Sequence, residues 1–149
     1  MRASDTMTRR VITTPPELPL RVAYEIMQRQ HIRHLPVTKA GLLLGIVSDR
    51  DLLARATLDD SERPVFPNLP VGATMTPAPY VCDKSTHVAE IVRTMVERKI
   101  DAIPVVDGAD RLVGLVTSTD LMLLLIEYDE ARPLPFTWEL EEAEEAMTA

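Results

Sequence analysis

The sequence predicts an α+β fold in which two β-α-β-β-α repeats pack sheet to sheet with pseudo-two-fold symmetry. One observation is an eight-residue phrase that occurs twice, as GIVSDRDL from Gly45 and as GLVTSTDL from Gly114. The other is that each phrase follows the same order of extended and helical segments. Repeated units of this kind contact one another and bury a common core. We therefore expect the two repeats to fold as one body.

Each repeat has the same order of predicted elements. A short extended segment comes first, at residues 11–14 and 79–82. Apolar residues then recur at the spacing of an amphipathic helix, namely Leu20, Ala23, Tyr24 and Met27 in the first repeat and Val88, Ile91, Val92 and Met95 in the second. Two strands joined by a hairpin-like turn follow, at residues 34–38 and 42–47 and at residues 102–106 and 112–116. A second helix begins at Ser48 or Thr117. One such unit cannot cover both faces of its sheet, so we expect the two to share one core.

The spacing of the repeated phrases sets the domain boundaries. Thr6-Met7-Thr8 recurs 68 residues later, and the GIVSDRDL phrase recurs after 69. These offsets place repeat 1 at residues 1–57 and repeat 2 at residues 72–130. Residues 58–71 are rich in proline and charge, which indicates a linker. Residues 131–149 form an acidic tail, which is usually a solvated face, but its Phe136 and Trp138 indicate docking on the module or on a partner.

Composition and charge exclude several classes of protein. The net charge is −7 and the pI is about 4.9, so the mean field of the chain repels polyanions and we expect no nucleic acid and no membrane partner. A small phosphate ligand in a locally basic pocket is compatible with this charge. The longest apolar run, residues 121–126, is far below the roughly 20 residues that cross a bilayer. The N-terminal segment lacks the apolar core of a signal peptide, and Cys82 is the single cysteine. We therefore expect a cytoplasmic protein without disulfides.

No catalytic or metal-binding motif is found in the sequence. His31 and His87 have no second ligand at a recognisable spacing, so we expect no metal site. Cys82, at a strand end, is interpreted as a small apolar residue and not as a nucleophile. Glycine-rich phosphate loops and nucleophile elbows are missing as well. The sequence therefore predicts that the protein is not an enzyme and has no catalytic residues.

The repeated phrase allows two interpretations of its aspartate. Ser48 with Asp51, and Thr117 with Asp120, have the spacing of a capping box at a helix N-terminus. The same place offers backbone amides and the positive end of a helix dipole, which suit phosphate, and a carboxylate there can accept hydrogen bonds from the two hydroxyls of a ribose. Arg50 is either a phosphate ligand or an exposed charge that pairs with a neighbouring aspartate.

The ordered set IRHLPV–GIVSDRDL and IDAIPVVD–GLVTSTDL resembles a tandem pair of CBS domains, also called a Bateman module. The resemblance covers nearly the whole chain apart from the linker and the tail. It implies that an adenosine-containing ligand (AMP, ADP, ATP or S-adenosylmethionine) binds in clefts between the repeats and regulates a partner protein. In this family the positions of Asp51 and Asp120 bind the ribose.

The resemblance also implies which residues line the clefts. They are Thr13, Ile32, Arg33, His34, Leu35, Pro36, Ser48, Arg50 and Asp51 from the first repeat, and Ile100, Ala102, Ile103, Pro104, Thr117, Thr119 and Asp120 from the second. The basic residues Arg33, His34 and Arg50 all belong to the first repeat. We therefore expect the two clefts to bind unequally.

Taken together, these features predict a stand-alone regulatory CBS pair without catalysis of its own. Six consecutive apolar residues, 121–126, circle the last helix, so one core face cannot bury them all, and we expect a homodimer. The alternative is a structural dimerisation or assembly module whose clefts stay empty.

Overall fold

A computed structural model gives the fold of residues 1–128, and the acidic tail with Phe136 and Trp138 lies outside the described residues. The α+β fold with two similar repeats is confirmed, but the strands predicted at residues 11–14 and 79–82 are reduced to the single bridges Thr14–Val37 and Cys82–Val105. The helices are α1 (Ala3–Thr6), α2 (Leu20–Gln30), α3 (Asp49–Leu53), α4 (Val88–Arg98) and α5 (Ser118–Glu127). The strands are β1 (His34–Lys39), β2 (Leu42–Ser48), β3 (Thr57–Leu58), β4 (Pro64–Val65), β5 (Thr76–Pro77), β6 (Ala102–Val106) and β7 (Leu112–Thr117), and a 3-10 turn covers Val71–Ala73.

Helices α2 and α4 occupy equivalent places and end in the same way. Each is followed by a residue in the left-handed conformation, His31 or Lys99, both with φ of 53°. The N–H group of each of these residues donates to the carbonyl of a methionine in the last turn, which satisfies one of the free carbonyls at the helix end. Apolar side chains on one face of each helix are buried, which confirms the amphipathic pattern of the sequence.

The strands that follow each helix form an antiparallel hairpin. The β1–β2 register shifts between Val37 and Thr38, and the β6–β7 register shifts at the equivalent place. The two sheets lie against each other around a cavity of about 170 Å³. Their turns are joined by backbone hydrogen bonds, from Leu43 N–H to the Asp110 carbonyl (3.2 Å) and from Leu112 N–H to the Gly41 carbonyl (3.1 Å).

The segments at the start of the two repeats are exchanged between the units. Strand β5 lies beside β2 of the first repeat, with Thr76 opposite Ile46. At the equivalent place in the second unit, Thr8 pairs with Leu115, and each of these two residues donates its N–H group to the carbonyl of the other (2.8 and 3.0 Å). Each unit is therefore completed by a segment that the sequence assigns to the other repeat.

The expectation of one shared core is wrong, because the buried apolar residues form two clusters. The first contains Leu20, Ala23, Met27, Leu35, Val37, Val47, Leu52 and Val71, and the second contains Ala3, Met7, Ile91, Met95, Ile103, Val105 and Val116. The exchanged segments explain the difference. Val71 closes the first cluster, and α1 closes the second, so each unit has a covered interior of its own.

The linker also covers part of the first unit. Strands β3 and β4 form a small hairpin within residues 57–65, after which the ring of Phe66 packs on Tyr24 of α2 with a centroid separation of 5.0 Å. The carbonyl of Leu69 then accepts a hydrogen bond from the first N–H group of α2, at Leu20 (3.1 Å). Residues 58–71 therefore connect the repeats and pack on the first one.

Candidate functional site

Two clefts lie between the repeats, and we name each by its aspartate. The Asp120 cleft has a volume of about 250 Å³, and the Asp51 cleft has a volume of about 330 Å³. The Asp120 cleft is lined by Thr8, Arg10, Val11, Ile12, His31, Ile32, Arg33, His34, Asp101, Leu115, Thr117, Ser118, Thr119 and Asp120. The Asp51 cleft is lined by His34, Ile46, Ser48, Arg50, Asp51, Thr76, Ala78, Pro79, Tyr80, Lys99, Ile100, Asp101 and Ala102.

The two clefts are built from equivalent positions but combine the repeats in opposite ways. In the Asp120 cleft, the start of β1 in the first repeat faces the repeated phrase of the second. In the Asp51 cleft, the start of β6 in the second repeat faces the phrase of the first. Thr8 and Thr76, which are equivalent, occupy the same place in the two clefts. A ligand in either cleft therefore contacts both repeats.

Both aspartates form the capping box that the sequence predicted, and each uses only one carboxylate oxygen for it. Ser48 N–H donates to Asp51 Oδ2 (2.8 Å), and Thr117 N–H donates to Asp120 Oδ2 (2.8 Å). The Oδ1 atom of Asp51 accepts no hydrogen bond from the described residues, whereas Asp120 Oδ1 accepts one from the Thr8 hydroxyl (3.2 Å). Helix capping therefore leaves the Oδ1 atom of each aspartate able to accept hydrogen bonds from other donors.

The expectation of free amides for phosphate at the start of α3 is wrong. Asp49 N–H donates to the Arg33 carbonyl (2.9 Å), Arg50 N–H donates to the Asp49 side chain (2.9 Å), and Asp51 N–H donates to Ser48 Oγ (3.1 Å). The first three amides of this five-residue helix are thus occupied. A phosphate group in the Asp51 cleft has to be bound by side chains.

Cationic side chains are present in both clefts. Arg10 and Arg33 line the Asp120 cleft, and Arg50 and Lys99 line the Asp51 cleft. The basic residues are unevenly distributed between the repeats, but both clefts contain cationic side chains, because each cleft is lined by different segments of the chain. Arg33 pairs with Asp49 (3.4 Å), whereas the Arg50 guanidinium forms no ion pair with any residue of the described part of the chain.

His34 and Asp101 separate the two clefts and line both of them. The His34 Nε2 atom lies 3.1 Å from Asp101 Oδ1, and their side chains are 13% and 42% exposed. This contact joins the start of β1 to the equivalent turn before β6. It is a direct polar link between the repeats at the place where the clefts meet.

The clefts also contain apolar and aromatic surface. Ile32 and Ile100 are equivalent and lie in the Asp120 and Asp51 clefts, respectively. The Asp51 cleft has in addition the ring of Tyr80, and the guanidinium carbon of Arg98 lies 5.0 Å from the centre of that ring. An apolar slot beside an acidic group and two cations has the composition of a site for a base, a sugar and a phosphate.

Eleven of the sixteen residues that the sequence assigned to the ligand line one or both clefts. The other five line neither cleft, and their role in ligand binding stays a prediction. Leu35 and Ile103 belong to the two core clusters, and Pro36 and Pro104 are buried within β1 and β6. Thr13 is exposed and lines the cavity between the two sheets.

Several cleft residues were missed in the sequence, chiefly Thr8, Arg10, Asp101, Tyr80 and Lys99. The only available signal was the recurrence of Thr6-Met7-Thr8 as residues 74–76. That recurrence indicates equivalent places in two units, but it does not show that the segments are exchanged. Without the exchange, Thr8 could not be assigned to the cleft of Asp120.

The described residues, 1–128, also bear on whether the chain has a cysteine nucleophile, a metal site or a membrane-spanning helix. Burial raises the pKa of the Cys82 thiol to about 11, with Asp83 and Glu90 adding to the effect, so this thiol is a poor nucleophile at neutral pH. Within the described range, no three His, Cys, Asp or Glu side chains are grouped as metal ligands. None of the helices in that range is both long and apolar enough to span a bilayer.

The family model and several of the relatives and solved structures that match this chain are named after CBS domains. The family model described as CBS domain matches the chain twice, at residues 3–57 and 71–127. The CBS domain-containing protein YhcV of Bacillus subtilis is 28% identical over 117 residues, which cover 78% of this chain and 80% of that protein. Other relatives are longer, since the chain spans 45% of the transcriptional repressor CcpN of Bacillus subtilis and 23% of an inosine-5'-monophosphate dehydrogenase of Thermoplasma acidophilum.

Two solved structures of similar fold contain adenosine compounds. CBSX2 of Arabidopsis thaliana in complex with AMP has a TM-score of 0.72 and 30% identity, and the match covers 85% of this chain and 97% of that chain. The CBS domain pair of protein MJ0100, in complex with 5'-methylthioadenosine and S-adenosyl-L-methionine, has a TM-score of 0.73 and 25% identity. That match covers 87% of this chain and 98% of that chain.

Proposed function

Because the chain belongs to the CBS-domain family, we propose that it is a regulatory module that binds an adenosine-containing ligand in the clefts between its repeats. The ligand is an adenine nucleotide or a compound of the S-adenosylmethionine type. The module has no catalysis of its own in this proposal, acts in the cytoplasm and transmits ligand binding to a protein partner. Two similar CBS pairs, CBSX2 and MJ0100, are solved with such compounds, which supports this ligand class.

The observation that carries the proposal is the unused carboxylate oxygen of Asp51. Its Oδ2 atom caps α3, and no described residue donates to its Oδ1 atom. Two vicinal hydroxyls of a ribose supply donors for such an acceptor, and hydrogen bonds to a charged group are among the stronger ones. In the Asp120 cleft the Thr8 hydroxyl already donates to Oδ1, so a ribose there has to replace or share that bond.

The remaining cleft residues suit the other parts of the ligand. In the Asp51 cleft, Ile100 and Tyr80 offer apolar surface for the adenine, while Arg50 and Lys99 supply positive charge for phosphate. Since the guanidinium of Arg50 lacks an ion-pair partner in the described range, it is available to an anionic ligand. A neutral adenosine and a phosphorylated one are therefore expected to differ in their dependence on Arg50.

The mechanism follows from the composition of the clefts. Each cleft takes residues from both repeats, so a bound ligand bridges them and favours one relative arrangement. The ligand shifts the population only as far as its affinity for the two arrangements differs. The His34–Asp101 contact lies between the clefts, and its geometry depends on the relative arrangement of the two repeats. A partner that recognises one arrangement would then respond to the ligand.

Binding of the ligand is tested most directly by thermal unfolding. We expect the melting temperature to rise with at least one of adenosine, AMP, ADP, ATP, NAD and S-adenosylmethionine. A ligand that binds only the native state stabilises it by about 2.7 kcal/mol at a hundredfold excess over its Kd. Ribose 5-phosphate serves as the control without a base. If none of the six compounds shifts the transition at millimolar concentration, the alternative of an assembly module with empty clefts is favoured.

We further infer that the module functions as a homodimer that uses the outer face of α5. Leu123 and Ile126 lie three residues apart on this face and are 56% and 75% exposed. They point away from Leu121, which packs against the second core cluster. Burial of large apolar side chains of this kind is the main favourable contribution to association.

Light scattering at micromolar concentration tests the dimer. We expect twice the chain mass of 16.6 kDa for the wild type and the mass of one chain for the double variant Leu123→Asp/Ile126→Asp. The matched control is Leu58→Asp, since Leu58 is 69% exposed but lies in β3. A wild-type protein that scatters as a single chain, or a control variant that dissociates as well, would contradict this assignment.

A further inference from the structure

An apolar groove lies between α4 and α5 on the second unit. Its volume is about 520 Å³, and Val92, Val96, Leu121 and Leu125 are among its lining residues. Val96 and Leu125 are 72% and 73% exposed. Leu121 and Leu125 are four residues apart and share the groove side of α5, whereas Leu123 lies two residues from each of them and points to the opposite side. It is therefore distinct from the outer face assigned to the dimer.

The equivalent place on the first unit is filled by the linker. Tyr24 of α2 is equivalent to Val92 of α4, and Leu52 of α3 is equivalent to Leu121 of α5. There the ring of Phe66 packs on Tyr24, and Phe66 and Leu69 both pack against the first core cluster. The chain that leaves the second helix of the first repeat thus returns over the helix pair of that same repeat.

The tail has a partial sequence likeness to that covering segment. Residues 63–69 of the linker read RPVFPNL, and residues 132–138 of the tail read RPLPFTW, 69 residues later. The Arg-Pro-aliphatic start is kept, Phe136 lies one place beyond the position of Phe66, and Trp138 aligns with Leu69. The offset equals the one that separates the GIVSDRDL and GLVTSTDL phrases, so the likeness extends the internal repeat beyond the last helix.

We propose that residues 132–138 dock in the groove between α4 and α5 of their own chain, with Phe136 in the place that Phe66 takes on the first unit. Val92 is smaller than the equivalent Tyr24, which leaves more room for the larger Trp138. Phe136 is eight residues after Tyr128, and this distance along the chain spans up to about 26–29 Å when extended. That span exceeds the roughly 15 Å length of a ten-residue helix. The tail is therefore long enough to return along α5.

The backbone part of the linker contact is not needed in the second unit. On the first unit, Leu69 accepts the hydrogen bond from the start of α2, whereas on the second unit the Met1 carbonyl accepts it from Val88 N–H (3.1 Å). The start of α4 is already satisfied in this way. Among residues 1–128, no side chain takes the place that the ring of Phe66 has on the first unit, and the tail supplies aromatic side chains.

Fluorescence of Trp138, the single tryptophan of the chain, tests the proposal on the full-length protein. We expect a blue-shifted emission and weak quenching by acrylamide in the wild type. Val92→Asp and Val96→Asp each place a charge in the groove and should move the emission to longer wavelength and strengthen the quenching. Val96 is 72% exposed, so this variant keeps the test valid if Val92→Asp does not fold, and far-UV circular dichroism checks both.

Leu123→Asp is the matched control, because it places the same charge on the opposite face of α5. The emission of this variant should equal that of the wild type. Wild-type emission typical of a solvated indole, or no response to either groove variant, would overturn the proposal. Protection that disappears in Leu123→Asp or on dilution would also overturn it, because the tail would then be buried against a second copy of the chain.

Discussion

Asp51→Asn is expected to weaken the binding of an adenosine ligand in the Asp51 cleft by about tenfold to a hundredfold. The loss of a hydrogen bond to a charged group costs roughly 1.5–3 kcal/mol. The amide oxygen of asparagine can still accept the Ser48 N–H bond that caps α3, but its amino group cannot accept a ribose hydroxyl. Titration calorimetry measures both the affinity and the number of sites.

Two controls separate ribose binding from helix capping. Ser48→Ala removes the hydroxyl that caps Asp51 N–H (3.1 Å) but leaves the carboxylate, so it should lower stability more than affinity. Analogues that lack the 2'- or 3'-hydroxyl should bind the wild type more weakly, and this loss should disappear in Asp51→Asn, since the acceptor is already removed. If the analogue loses the same affinity in both proteins, the carboxylate does not bind the ribose and Asp51 is a helix cap only.

Asp120→Asn is expected to have a smaller effect than Asp51→Asn. The Asp120 Oδ1 atom already accepts a hydrogen bond from the Thr8 hydroxyl, so the ligand gains less there than at the unoccupied oxygen of Asp51. We therefore expect the two clefts to differ in ligand affinity because Thr8, which lies in the exchanged segment, already donates to Asp120 Oδ1. Equal losses in the two variants would contradict this origin of the asymmetry.

Gly45→Ala is expected to lower the free energy of unfolding by about 1–3 kcal/mol, the usual cost of overpacking a filled interior. A Cβ atom at Gly45 would lie 2.6 Å from the carbonyl oxygen of Thr76 and 2.6 Å from Met75 Sδ. The carbonyl belongs to the backbone of β5, which is held against β2, so it cannot move without loss of that pairing. Urea denaturation measures the change.

Gly114→Ala provides the matched comparison at the equivalent position. A Cβ atom there would lie 2.5 Å from Met7 Sδ but 3.2 Å from the Thr8 carbonyl oxygen. A thioether end can rotate away more easily than a backbone carbonyl, so this variant should lose less stability than Gly45→Ala. If Gly114→Ala lost more stability than Gly45→Ala, the Thr76 carbonyl would not be the group that excludes a side chain at Gly45.

The elements of each repeat could be predicted from the sequence because their signals are local. The spacing of Leu20, Ala23 and Met27 encodes the buried face of α2. The pair Ser48 and Asp51 encodes the start of another helix, α3. The pairing of Thr8 with Leu115 has no such signal, because it depends on the path of the chain between two distant segments. For that reason the exchange of segments and the two separate cores were not predicted.

The candidate site was predicted in part for the same reason. The repeated phrase correctly indicated the helix caps formed by Asp51 and Asp120, since these contacts lie within four residues of one another. Their role in ligand binding stays a prediction. The facing residues, such as Lys99 and Thr8, come from the other repeat, and their distance from the phrase cannot be seen in one sequence. The repeats do differ in their basic residues, but each cleft combines both repeats and contains two cationic side chains. The difference between the repeats therefore does not make the clefts unequal in positive charge.

The exchanged segments also set an order of events during synthesis of the chain. The first unit is complete once residues up to Pro77 have left the ribosome, because its covering segment follows it directly. Residues 1–8 have to wait for Leu115 before they find their strand partner, so Ala3 and Met7 remain without their core while more than half of the chain is made. Contacts between residues so far apart in sequence form slowly, and domains tend to fold as they emerge. The second unit is thus completed after the first, by a segment that is synthesised well before its partner strand.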